Sequence, residues 1–585
     1  MAKLDSITRE RRILLQRGKN LIAAGNYNAA VVPLERAWSL DGIPSEASVL
    51  LSLALQKSGR LAEACGVASA AVSENPSAPE ALEQLGWVCL DASRCDEAAT
   101  WFKKAISETP KGIFAYHGLA QALRRLERYV EEVGVLRRAL DIDPSDELLR
   151  RNLCEALLLV PDASAALAEA VAFVRMLPGS FEARCSLAQS HLVAHRSDLA
   201  EEQVAEALKI GPANGGAAFR LATILRAMGR IVETESWTRK SIEMQPVQGS
   251  AYSLVSYLRR VRSEDAGRVA KMQELCTHPA LSVNERSLLH YGLGKAHEDL
   301  ERFEEAMSHY DEANRLAYLY RYGAAKFDRR SFTDTTDRTV GAVEAVRARR
   351  RNNESSASDV PIFVFGMIRS GTTLVDQILS SHREVGSVGE SRFWLDRSTA
   401  LLFSPGRDDI LAAAGDYVAL LQQGAPAKRR IVDKMPGNYL IAPLLHAVFP
   451  NAKFIHVTRN PADTCLSIYT TINLSRIDWA HDKANIALAY REYLRTMVRW
   501  RAVIPASAIK EVAYEDLVAN PESVSRDLVA FCGVEWDDAC MKPEENKRSV
   551  LTPSAWQVRQ PIYKTSVERW KSFEPWLREF AQLRR

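Results

Sequence analysis

The 585-residue chain has no long apolar run: Leu153 to Val160, its best candidate, is short and interrupted by Glu155. Nothing therefore approaches the length of a membrane span. The opening residues carry charge without an apolar signal core behind them. The nine cysteines are scattered without a Cys-x-x-Cys pair or a histidine at ligand spacing, which argues against a metal site and for reduced thiols in a cytoplasmic protein. A formal charge of +3 is too small for this length to mark a nucleic-acid binder. Such a length is also too great for a single core, so two or more domains are expected.

The first half repeats. Pro76, Pro110, Pro144, Pro178, Pro212 and Pro246 are spaced 34 residues apart, and Leu51, Leu85, Leu119, Leu153, Leu187 and Leu221 keep the same beat. Ala37, Ala71, Ala105, Ala139 and Ala207 follow it too. Alanine at a helix crossing allows close approach, and proline ends the second helix of each pair. The pattern resembles the tetratricopeptide repeat, whose helix pairs stack into a superhelix because none buries its own apolar face. Register breaks over 247–283 and returns with Tyr291, Gly294, Ala296, Phe303, Ala306 and Ala313. The expected organisation is a helical array over 1–322 with about eight or nine units, a connecting helix and polar linker over 323–359, and a second domain over 360–585. An array of this kind offers a concave face to a protein or peptide. Trp87, Trp101, Tyr116 and Trp237 either line that face or pack between helices.

From Pro361 the period changes. The runs Ile362–Phe365, Arg430–Val432, Lys453–Val457 and Ile509–Val512 alternate with helical stretches, which predicts a parallel sheet covered on both faces. Ligands of such sheets lie beyond the carboxyl ends of the strands. After the first run comes Arg369-Ser370-Gly371-Thr372-Thr373, with Gly366 and Gly371 spaced almost as in a nucleotide P-loop. The lysine of that loop is missing: Thr372 holds its place. Other runs lead into Asp433-Lys434, into Arg459 with Ser467 eight residues on, and into Tyr514-Glu-Asp-Leu517. Gathered at one edge, Arg369, Lys434 and Arg459 with the hydroxyls of Thr372, Thr373 and Ser467 suit a ligand carrying two separated phosphate-like groups.

From Pro361 to about Trp570 the sequence resembles the sulfotransferase superfamily, with the tyrosylprotein branch nearest. That resemblance implies a P-loop-like three-layer α/β domain using 3′-phosphoadenosine 5′-phosphosulfate (PAPS) without a metal. It assigns Arg369, Ser370, Gly371, Thr372 and Thr373 to the phosphosulfate, Arg459 and Ser467 to the 3′-phosphate, and Tyr514 to the adenine. Glu390, 21 residues beyond Arg369, takes the place of the family's catalytic base. Lys434 joins Arg369 in stabilising the leaving oxygens, and Ser554, in Ser-Ala-Trp-Gln-Val, borders the sulfuryl group. One departure stands out: where the branch has a further arginine, this chain has Thr471, and Arg476 and Arg559 are the candidate replacements. The acceptor stays open between a protein tyrosine docked on the array and a glycan or small molecule, with the array used for assembly. A P-loop phosphotransferase and a non-catalytic scaffold are the remaining alternatives.

Overall fold

The computed structural model describes residues 2–40, 46–160, 163–194, 196–349, 355–403, 407–473, 476–546, 548 and 557–583. Its first half is a row of antiparallel helix pairs, such as Pro79–Asp91 with Cys95–Glu108 and Ile113–Arg125 with Tyr129–Ile142. The alanines of the repeat sit at the crossings: Ala37, Ala71, Ala105, Ala139 and Ala207 are all buried. Between the two helices of a pair the chain turns through one left-handed residue. Gly25, Gly59, Ser93, Glu127 and Gly229 fill this place, all on the 34-residue beat. Across 247–283, where the period fails, the helices Gly249–Leu258 and Ala266–Leu275 are short.

The four aromatics of the array belong to its packing. Tyr116 is buried with its hydroxyl on the Pro110 carbonyl at 3.1 Å, and Trp87 meets Phe102 edge-on at 5.2 Å. Trp101 and Trp237 are half-buried under Lys104 and Lys240.

The second half contains a five-stranded parallel sheet: β1 Pro361–Gly366, β2 Val385–Gly389, β3 Arg430–Lys434, β4 Lys453–Thr458 and β5 Ile509–Ala513, in the order β2-β3-β1-β4-β5. β1, β3, β4 and β5 were legible as runs in the sequence. β2, Val-Gly-Ser-Val-Gly, was not, because two glycines and a serine dilute the β-branched signal. The central strand is buried along its whole length, with helices on both faces.

The two halves share one core. Tyr291, Met307, Tyr310, Ala313 and Ala317 from the array's last helices pack in the same cluster as Phe363, Trp394, Tyr417, Leu466 and Phe573. The connecting helix Arg329–Arg349 is part of it through Val340, Val343 and Val346. Polar bonds stitch the junction. Asn314 donates to the Tyr469 carbonyl at 2.8 Å, Tyr469 to Asp311 at 2.6 Å, and Arg476 to the Arg125 carbonyl at 2.8 Å. The helices Val283–Asp299 and Phe303–Tyr322 thus repeat the array's pattern while forming one wall of the sheet domain.

This sharing predicts where the chain can be cut. Fragment 282–585, which keeps both helices and the Ser282 cap, should melt cooperatively, whereas fragment 323–585, stripped of several large core side chains at about 2–5 kcal/mol each, should not. Circular dichroism melts of the two fragments check this; equal cooperativity would show that the core divides at the end of the array.

Candidate functional site

Parallel strands all end at one edge, and here each of the five delivers a polar residue to it. β1 leads into Arg369–Thr373, β2 into Glu390, β3 ends on Lys434, β4 leads into Arg459 and β5 into Tyr514. Register keeps these ends level: Gly366 faces Val457, Gly389 faces Asp433 and Thr458 faces Ala513.

The loop after β1 is shaped by its glycines. A Cβ at Gly366 would stand 2.3 Å from the Val457 carbonyl oxygen, so the chain can leave the sheet here only without a side chain. Gly371 is left-handed at φ +105°, and a Cβ there would meet the Tyr514 ring at 2.6 Å. Arg369 is also left-handed, at φ +68°. The helix Thr372–Ser380 follows at once, so its first amides face the loop without intrahelical partners. Ser370, Thr372 and Thr373 are buried.

Two guanidinium groups meet beside this loop. Arg369 Nε donates to Ser467 Oγ at 3.2 Å. Arg459 donates from Nη1 to the Arg369 carbonyl at 3.2 Å and from Nη2 to the Ser566 carbonyl at 2.6 Å, and it lies over the Tyr514 ring. Burial, then the charge of Arg459, push Arg369 down to about 10. The place holds surplus positive charge. Ser370 Oγ and Arg459 Nε are buried there without a hydrogen-bond partner. Each such orphan costs on the order of 1–3 kcal/mol, and a ligand with anionic groups at the loop and beside Arg459 would satisfy them. Residues and charge therefore fit a phosphate- or sulfate-bearing ligand.

Further along the edge, Lys434 Nζ donates to the Glu390 carboxylate. The lysine side chain is 2% exposed and the glutamate 41%, so the pair offers its carboxylate to the open side. Behind it Asp433 is fully buried and accepts from the Tyr417 hydroxyl at 2.6 Å. Tyr514 is buried as a support beneath Gly371 and Arg459. Ser554 lies outside the described residues.

Neither sequence-based replacement for the arginine missing at Thr471 is bonded to the loop. Arg476 is turned to the array, and Arg559 donates to the carbonyls of Asn546 and Arg548. Arg569 instead reaches Thr470, bonding its hydroxyl at 3.1 Å while paired with Glu298. His382 and His456 have structural partners, the Glu535 carbonyl for one and Glu511 with Tyr493 for the other. Sequence reasoning missed Asp463, buried one helical turn before Ser467 and accepting two backbone N–H groups from Glu568 and Trp570. Its i, i+4 spacing from Ser467 was the available signal. Among the described residues no three His, Cys, Asp or Glu converge as a metal site, and no helix is long and apolar enough to cross a membrane. All nine cysteines are unpaired.

Comparison with known proteins gives the following matches. Residues 361–413 and 408–538 match the sulfotransferase family model, and residues 49–113 and 289–318 match tetratricopeptide repeat models. The chain is 30% identical over 405 residues to an uncharacterized protein of Aquifex aeolicus, covering 65% of this chain and 51% of that one. It is 28% identical to the protein-tyrosine sulfotransferase of Drosophila melanogaster over 239 residues, 36% of this chain and 46% of the relative. An omega-hydroxy-beta-dihydromenaquinone-9 sulfotransferase of Mycobacterium bovis is 23% identical over 36% of the chain, with 72% of its own length covered. The chain thus spans about half the length of the first two relatives. Its second half carries a sulfotransferase-family domain and its first half a tetratricopeptide array.

Asp433 gives a pH test of the site's buried charge. Burial lifts its carboxyl from the usual aspartate range up to about 7, with the Tyr417 hydrogen bond pulling the other way. The folded chain then holds a proton that the unfolded chain has lost between about pH 4 and 7, so stability falls as pH rises through that window. Asp433→Asn should remove roughly 2 kcal/mol or more of this fall, read as the difference in urea unfolding free energy between pH 5 and 7.5. Parallel profiles for the two proteins would contradict it.

Proposed function

We propose that the chain transfers a sulfuryl group from PAPS to an acceptor hydroxyl. The observation that carries the reading is the pair of half-buried guanidinium groups, Arg369 and Arg459, beside a glycine loop that lacks the P-loop lysine. In this reading Arg369, the Ser370 hydroxyl and the amides of Gly371 to Thr373 hold the phosphosulfate, and Arg459 with Ser467 holds the 3′-phosphate. Tyr514 supports both through Gly371 and Arg459 and borders the adenine. The donor supplies an activated sulfuryl group: the S–O bond to adenosine 3′,5′-bisphosphate breaks while a bond to the acceptor oxygen forms.

The chain's own groups do the rest. Glu390 takes the proton of the attacking hydroxyl. Lys434, freed from the carboxylate as that proton arrives, turns its charge to the leaving oxygen with Arg369. The pairing of Lys434 with Glu390 holds the carboxylate in place until then, and Ser554 completes the set as a donor to the sulfuryl oxygens. The preferred acceptor is a tyrosine of a protein bound by the array, a reading supported by the likeness to a protein-tyrosine sulfotransferase, 28% identical over 36% of the chain. An acceptor on a lipid-soluble small molecule is the second reading, favoured by the menaquinone-modifying relative.

Calorimetry with adenosine 3′,5′-bisphosphate tests the donor. Micromolar binding is expected from the full chain, and Arg369→Met should weaken it at least 100-fold, since a buried charge-assisted contact is lost. Glu390→Ala should bind as tightly or more tightly, because Lys434 is released, while turnover drops about 10²–10⁴-fold. No heat at high micromolar bisphosphate would sink the enzyme reading, and equal loss of binding and turnover in Glu390→Ala would remove Glu390 as the base.

A further inference from the structure

The helix Pro461–Tyr469 carries Ser467 in its last turn and Asp463 in its first. Groups from elsewhere hold both ends. A helix leaves its last carbonyls without internal partners; here the Tyr469 carbonyl accepts from Asn314 Nδ2 at 2.8 Å and the Thr470 carbonyl from the Tyr257 hydroxyl at 3.3 Å. Both donors belong to the array. At the other end, Asp463 binds the backbone N–H groups of Glu568 and Trp570 at 2.8 and 2.9 Å. Glu568 is left-handed at φ +60°, a shape a non-glycine residue keeps when its neighbours fix it. This strap also supplies the Ser566 carbonyl that receives Arg459.

Arg569 joins the two ends. Its guanidinium reaches Thr470 Oγ1 at 3.1 Å and makes a two-pronged pair with Glu298, with Nη2 to Oε2 at 2.7 Å. Glu298 accepts a third bond from the Tyr310 hydroxyl at 2.8 Å. Burial resists ionising Glu298, and the charge of Arg569 overrides that and holds the carboxyl below its usual range. An array carboxylate thus sits one residue contact away from the strap and from the helix that bears Ser467.

We propose that Glu298 is a positioning residue for the anion cradle: through Arg569 it fixes the strap Ser566–Trp570, which fixes Arg459, and with it the helix carrying Ser467. The proposal rests on the reading of the cradle as the donor site. It makes the array a working part of that site, in addition to any role in holding an acceptor.

The test uses the full chain and two readouts, native-state hydrogen exchange without ligand and calorimetry with adenosine 3′,5′-bisphosphate. Glu298→Gln keeps the shape and the bond from Tyr310 but loses the charge. Leu51→Ala, at a buried position of the early repeats, serves as a comparator that lowers stability away from the site. In Glu298→Gln the amides of 463–470 and 566–570 should exchange at least tenfold faster and the bisphosphate Kd should rise about tenfold. Leu51→Ala should change neither more than twofold, whatever its loss in Tm, and Glu298→Asp should fall between Glu298→Gln and the unaltered chain. Unchanged exchange in Glu298→Gln, faster exchange with an unchanged Kd, or an equal effect from Leu51→Ala would each overturn the proposal. Faster exchange in Glu298→Gln with no bisphosphate binding by the unaltered chain would instead refute the donor reading and leave Glu298 as the group that fixes the strap.

Discussion

Arg369 and Arg459 meet beside the loop, both half-buried, where like charges repel more strongly than in open water. A fold tolerates that arrangement only if surrounding bonds hold the two groups in place. Each neighbour of the pair does so: Ser467 receives Arg369, the Arg369 and Ser566 carbonyls receive Arg459, and the Tyr514 ring lies beneath it. The glycines of the loop are needed because the backbone passes against Val457 and Tyr514 on its way round the cradle. Surplus charge, oriented amides and orphaned donors together describe a place prepared for an anion.

The rest of the edge follows from parallel topology. Five strands end together, so residues far apart in sequence become neighbours without any special device. The buried Lys434 is balanced by Glu390, and in the proposed reaction that pairing would tie the base to the cation that later faces the leaving group. The array meets this edge from the other side, capping the helix of Ser467 with Asn314 and Tyr257. A repeat array joined to an enzyme by a tether would leave those carbonyls to water; here they are closed by side chains of the repeats themselves.

Much of this was legible in the sequence. The proline and leucine beat gave the array, because helix pairs of fixed length impose a fixed period. The apolar runs gave most of the sheet, and the Arg-Ser-Gly-Thr-Thr loop gave the cradle. What stayed hidden was long-range. β2 lacks the residues that mark a strand, the sharing of a core between the halves leaves no local trace, and Arg569 finds Glu298 across 271 positions of sequence. The connecting helix expected before the first strand is present as Arg329–Arg349, but its packing partner was hidden for the same reason. Ser356 is anchored to the Val448 carbonyl at 2.8 Å, and the helix before it is core, although nothing in its own sequence names the partner. Thr471 pointed to a missing arginine, and Arg476 and Arg559, the candidates the sequence offered, are turned elsewhere.

The central claim is that the cradle serves sulfuryl transfer. Its most direct test is to supply the full chain with ³⁵S-labelled PAPS, and in parallel with ³²P-labelled ATP, in a lysate of the producing organism, separated afterwards into protein, glycan and small-molecule fractions. The account predicts ³⁵S in one acceptor fraction, abolished by Arg369→Met, and no ³²P above background. Transfer of ³²P with none of ³⁵S, or ³⁵S transfer that survives Arg369→Met, would contradict it.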